Sequence, residues 1–161
     1  MAFTLTSPAF RDGEEIPSHY TNEGANVSPP LEWSDPPEGT RSFVLVMVGL
    51  DGGQVGEVFH HWGLYDIAGD RRMLPEGVGH GVKTEPMGHG VNDFGHPRYD
   101  GPAPPEEAPP RRYLFRLGAL GLEVPIPAPK QLVADIRAAA EPHLLGVAEL
   151  RCTYVSRRHA G

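Results

Sequence analysis

A chain of 161 residues suits one domain, expected here over residues 1–161, and can bury roughly two-thirds of its unfolded surface without staples. A formal net charge of −7 argues against a nucleic-acid partner, because phosphate binding needs a basic face. The single cysteine leaves no intrachain disulfide and no multi-cysteine zinc site, and no apolar run approaches the roughly 18 residues of an integral membrane segment.

The 20 glycines and 18 prolines imply many turns and loops, which fits a β-rich fold better than a helical bundle. The first ten residues, MAFTLTSPAF, lack the basic and apolar regions of a secretory signal, so a cytoplasmic location is expected. Residues 3–6 read as a first strand, closed by Ser7-Pro8, and residues 11–14 as a turn. Asn26-Val27-Ser28 matches a glycosylation sequon, but its side chains are expected to make local turn hydrogen bonds. Leu31 and Trp33 alternate with Glu32, giving a short strand before the turn at residues 35–39. Residues 43–48, FVLVMV, are apolar without a break and too β-branched for a helix. They predict a central strand buried on both faces.

Residues 59–67, FHHWGLYDI, predict the next strand. Adjacent strand residues point to opposite faces, so only one of His60 and His61 can enter a given pocket. If the Gly-rich acidic loop at residues 49–53, the start of this strand, and residues 99–105 with 111–115 meet in space, they enclose a small polar cavity with His61 at its floor. The plain structural alternative is a histidine packed in the core with its nitrogens hydrogen-bonded.

Residues 68–70 turn the chain. Residues 74–91 are rich in glycine and read as a long surface loop, continued by Asn92-Asp93-Phe94-Gly95 and the proline-dense residues 97–110. Tyr113, Phe115 and Leu117 share one face of a predicted strand over 113–120. Residues 125–129 form a rigid proline connector. Leu132, Val133, Ile136, Ala139 and Ala140 lie at helical spacing within residues 130–141, ended by Pro142. The last strand is predicted over 147–155, with Leu150, Cys152 and Tyr154 on one face and Cys152 a small buried apolar residue. Residues 157–161 are expected to fray.

No GxSxG, Walker loop or GxGxxG motif is present. His80, His89 and His96 are spaced nine and seven residues apart along loop, which does not make a compact ligand set, so neither a metal nor a cofactor is predicted. The segments FTLTSPAFRDGEEIPSHYT, NVSPPLEW, PPEGTRSFVLVM, FHHWGLYDI, LPEGV, NDFG, YDGPAPP, RRYLFRLGAL and HLLGVAELRCTYVSR together resemble, in order and spacing, the prokaryotic Raf-kinase-inhibitor-like branch of the phosphatidylethanolamine-binding proteins. The resemblance implies a mainly β fold, an antiparallel β-sandwich with peripheral helices, one near the C-terminus. It also implies a small pocket for an anion such as phosphate or a phospholipid headgroup. The pocket positions fall on the 49–53 loop with Asp51, on His61, on Gly101, Pro104 and Pro105, and on Arg111-Arg112-Tyr113.

Two departures from the family pattern bear on charge. The usual Asp-Pro-Asp-Ala-Pro loop is Gly49-Leu50-Asp51-Gly52-Gly53, and the histidine of His-Arg-Tyr is Arg111. Both make the site more positive. Anion binding then persists or strengthens, unless Arg111 fills the cavity or turns to solvent. The leading expectation is a non-catalytic binding protein for a small anionic or phosphorylated ligand, modulating or inhibiting a protein partner such as a kinase or protease-like protein. The alternative is a hydrolase or lyase using His61 as general base with Tyr113 or Arg111 assisting, although no nucleophile or metal set accompanies it. A third reading is a purely protein-binding inhibitor acting through residues 74–110.

Overall fold

A computed structural model describes residues 2–51, 58–78, 87–106, 108–122 and 131–157. Its centre is β3 (Ser42–Gly49), in which every residue is buried. The reason is that both faces of this strand are covered. Phe43, Leu45 and Met47 join the main core with Leu31, Trp33, Phe115 and Leu117. Val44, Val46 and Val48 face the other way, onto Val133, Ile136 and Ala140 of helix α1 (Val133–Ala140). The unbroken apolar run thus serves two clusters in an antiparallel sheet.

That sheet has five strands in the order β6-β4-β3-β7-β8, with β4 Phe59–Ala68, β6 Gly88–His89, β7 Arg111–Leu120 and β8 Leu144–Tyr154. A second sheet, in the order β1-β2-β5, comprises Thr4–Thr6, Leu31–Ser34 and Met73–Leu74. All named strand pairs are antiparallel. The sheets meet through aromatic contacts, Trp33 lying edge-on to Phe43 with centroids 5.5 Å apart.

Strand β4 does not alternate simply. Its register against β3 slips between Met47 and Val48, which pair with Trp62 and His60, so His61 is the extra residue of a bulge. His61 therefore packs beside Tyr113 while the adjacent Trp62 packs against Tyr99, both in the main core. A second slip lies between Phe43 and Leu45, near Asp66, which adopts the left-handed φ of 59°. The alternation read from the sequence holds between His60 and His61 and fails between His61 and Trp62.

Several boundaries move. β8 begins at Leu144 and carries Gly146 inside it, where the glycine's missing side chain admits Pro37. Helix α1 starts at Val133, and Leu132, at its N-cap, is 50% exposed instead of lying on the apolar stripe. Within the expected surface loop, Leu74 ends β5, Gly88–His89 forms β6, and Val78 and Met87 are buried. The Asn26 side chain reaches the segment around Asp100. Arg157 is held by its N–H to Glu23, whereas the rest of the expected frayed end, the 125–129 connector, His80, Gly52 and Gly53 lie outside the described residues.

Candidate functional site

Three strand ends converge. Gly49, the last residue of β3, pairs with Phe59 of β4 on one side and with Tyr113 of β7 on the other. The bulge delivers His61 into this corner. Its ring lies against Tyr113, centroids 5.4 Å apart, and against Phe59 at 4.9 Å. Phe94 completes an aromatic wall, 5.7 Å from His61 and itself 43% exposed. A Cβ on Gly49 would stand 3.1 Å from His61 Nε2, so the absent side chain leaves the approach to that nitrogen clear.

His61 is 5% exposed, and a buried imidazole needs a partner. Its Nδ1 lies 2.8 Å from the Asp100 carbonyl oxygen. A carbonyl only accepts, so Nδ1 carries the hydrogen and Nε2 the lone pair. Burial lowers the pKa to about 4, against smaller opposing contributions from the Asp100 carbonyl, the Asp100 and Asp93 charges and the Gly101 backbone. His61 is therefore neutral at ordinary pH. His60 points elsewhere: its backbone N–H and its Nδ1 both meet Asp93 Oδ2, at 2.7 and 3.0 Å.

The Asp100 carbonyl is held by a polar knot that the sequence reading missed. Asn92, 2% exposed, donates to the His61 and Arg98 carbonyls and to Asp100 Oδ2. Its Oδ1 accepts the Phe94 and His96 N–H groups. The Asp100 carboxylate also receives His96, Arg98 and Asn26. Burial alone would raise its pKa, but the hydrogen bonds from Asn92, His96 and Arg98 hold it below the usual carboxylate range. Asn92-Asp93-Phe94-Gly95 does carry a local turn signal. Its long-range partners leave no trace in local sequence.

The remaining expected residues divide. Asp51 is engaged by Arg112, which donates its backbone N–H and two guanidinium N–H groups to the carboxylate. Those hydrogen bonds hold Asp51 below the usual range. Asp51 thus braces the β3–β7 corner. Gly101 is required by packing, since a Cβ there would lie 2.1 Å from the Tyr20 carbonyl oxygen. Pro104 is buried and Pro105 exposed. Tyr113 is buried, and desolvation pushes its hydroxyl up to about 12 despite the opposing pull of Arg111. Arg111 is half-buried, close enough to lower both the Asp51 and Tyr113 pKa values. Its guanidinium takes no hydrogen bond or ion pair among the described residues, and Asp51 is engaged by Arg112.

Residues 6–155 match the family described as phosphatidylethanolamine-binding protein. The chain belongs to that family. Relatives include a UPF0098 protein of Aquifex aeolicus, 38% identical over 88% of this chain and 85% of its own length. The UPF0098 protein YbhB of Escherichia coli is 39% identical over 74% and 78%. The crystal structure of E. coli YbcL, described as a member of the mammalian family, superposes with a TM-score of 0.89 at 30% identity, covering 97% of this chain and 99% of that one. These likenesses agree with the mainly β architecture of two antiparallel sheets and a helix near the C-terminus. Among the described residues no three His, Cys, Asp or Glu side chains group as a metal site, and no helix is long and apolar enough to cross a membrane.

Proposed function

We propose that this protein is a cytoplasmic, single-domain, non-catalytic binding protein for a small anionic or phosphorylated ligand, held beside His61, Tyr113 and Gly49 and charge-paired to Arg111. The bound state would modulate a protein partner. The observation that carries this reading is the Arg111 guanidinium, which takes no hydrogen bond or ion pair among the described residues, at a strand corner where the Asp51 carboxylate is consumed by Arg112. Guanidinium groups bind phosphate oxygens through paired, charge-assisted hydrogen bonds.

The chemistry of the neighbours supports binding over turnover. A His61 with pKa about 4 is a feeble general base near neutral pH. Burial pushes both the Tyr113 hydroxyl and the Cys152 thiol up to about 12, so neither is an activated nucleophile. Calorimetry with inorganic phosphate tests the proposal. Saturable one-site binding is expected, and its absence at millimolar phosphate would overturn it. Turnover of phosphate or carboxylate esters abolished by His61→Ala would favour the hydrolase reading instead.

A further inference from the structure

We infer that residues 154–157, at and beyond the end of β8, form a strap whose grip on Glu23 sets how firmly residues 99–102 hold the His61 ring. Strap and residues 99–102 are bonded to the same tight loop, residues 18–26, through different groups.

The Glu23 carboxylate gathers the strap. Its Oε1 accepts the Tyr154 hydroxyl at 2.8 Å and the Arg157 backbone N–H at 2.7 Å. Its Oε2 accepts the Ser156 hydroxyl at 2.5 Å. The Tyr154 hydroxyl also lies 3.0 Å from Ser18 Oγ, and the Arg157 guanidinium pairs with Glu15. Hydrogen bonds to an ionised carboxylate are about twice as strong as neutral ones. They fasten a segment that has already left the sheet, since β8 ends at Tyr154.

The loop can pass that grip on because it is stiff. Thr21 donates both its backbone N–H and its hydroxyl to the Ser18 carbonyl, and the Asn26 N–H closes onto the His19 carbonyl. Gly24 passes so near Ser18 that a Cβ on it would stand 2.2 Å from the Ser18 carbonyl oxygen. The Glu23 N–H is tied to Thr21 Oγ1.

The attachment to residues 99–102 is as dense. Tyr99 donates its hydroxyl to the Tyr20 carbonyl at 2.7 Å, and the Asn22 N–H meets the Pro102 carbonyl at 3.0 Å. Asn26 Oδ1 accepts the Gly101 N–H at 2.8 Å, and its Nδ2 reaches Asp100 Oδ1 at 3.2 Å. Among these bonds sits the Asp100 carbonyl that fixes the His61 tautomer. Any contact that draws Ser156 and Arg157 off Glu23 therefore softens the corner from a distance. Such coupling is reciprocal, so freeing residues 99–102 loosens the strap.

Amide hydrogen exchange, read by NMR on the whole chain, tests the coupling from both ends. Ser156→Ala combined with Arg157→Pro removes two donors to Glu23, because proline has no N–H. Exchange at the Asn22 and Gly101 amides should rise roughly five- to tenfold, the effect of losing about one net hydrogen bond of local stability. The amides of β7 should exchange as before. The reverse arm is Asn26→Gly, which keeps the left-handed φ of 59° but drops the side chain that holds Gly101 and Asp100. There the chemically unaltered Arg157 amide should exchange faster by a similar factor. The His61 Nδ1 proton should exchange faster in both variants.

Asn22 and Gly101 unmoved in the first variant, or Arg157 unmoved in the second, would overturn the coupling. So would β7 amides that speed up as much as Gly101, since the whole fold would then be loosening. No ligand enters the experiment, so its outcome is independent of what the corner binds.

Discussion

Arg111 stands where the family pattern has a histidine, and the exchange replaces a titratable ring with a permanent cation. Each hydrogen bond from it to phosphate is worth on the order of 1.5–3 kcal/mol, so Arg111→Ala should weaken phosphate binding by roughly ten- to a hundredfold. Calorimetry on the variant checks this, and unchanged affinity would mean the guanidinium faces solvent. His61 carries a second residue-level consequence. Its folded pKa, about 4, lies below the unfolded value near 6.5, so between those limits the unfolded chain binds more protons. Stability is then fully present above about pH 6.5 and is lost as pH falls toward 4, by about 3 kcal/mol for this one group. Urea unfolding from pH 4 to 7 should show that slope in the wild type and a flatter one in His61→Gln. Parallel slopes would mean that the ring is not held neutral.

At the scale of elements, the corner depends on how β4 is placed. Helix α1 lies directly on it: a Cβ on Gly63 would come within 2.8–2.9 Å of the Val133 Cγ atoms. Gly63→Ala should therefore cost about 1–3 kcal/mol through overpacking. Val133→Ala in the same chain should recover part of that loss, giving a coupling of roughly 0.5–3 kcal/mol in a double-mutant cycle. Strictly additive effects would show that the helix does not rest on Gly63.

The bulge in β4 is the feature least legible in the sequence. FHHWGLYDI reads as plain alternation, which would set Phe59, His61 and Gly63 on one face. The inserted His61 instead brings Trp62 and Leu64 onto the core side. Nothing local marks the slip. It is set by the match of Met47 to Trp62 and of Gly49 to Phe59 across the sheet, a tertiary choice.

Across the whole molecule, the pattern that was readable is the pattern that burial imposes. The FVLVMV run and the alternation of Tyr113, Phe115 and Leu117 placed β3 and β7, and with them the ends where Gly49, His61 and Tyr113 meet. Polar partnerships were not readable, because each joins residues far apart in the chain: Asn26 to Gly101, Asn92 to His61, Asp51 to Arg112. These bonds decide which tautomer His61 adopts and, among the described residues, which arginine the Asp51 carboxylate holds. Family membership then supplies the frame, while Gly49 and Arg111 give this corner its own charge and space.

The most direct test of that account is nitrogen-edited NMR of the histidine and arginine side chains during a titration with inorganic phosphate. The His61 ring and the Arg111 Nε–H should shift together along one saturation curve, with His61 Nε2 moving toward its protonated form while His60 stays still. If phosphate saturates resonances elsewhere and leaves His61 and Arg111 unmoved, the corner formed by β3, β4 and β7 is not the binding site.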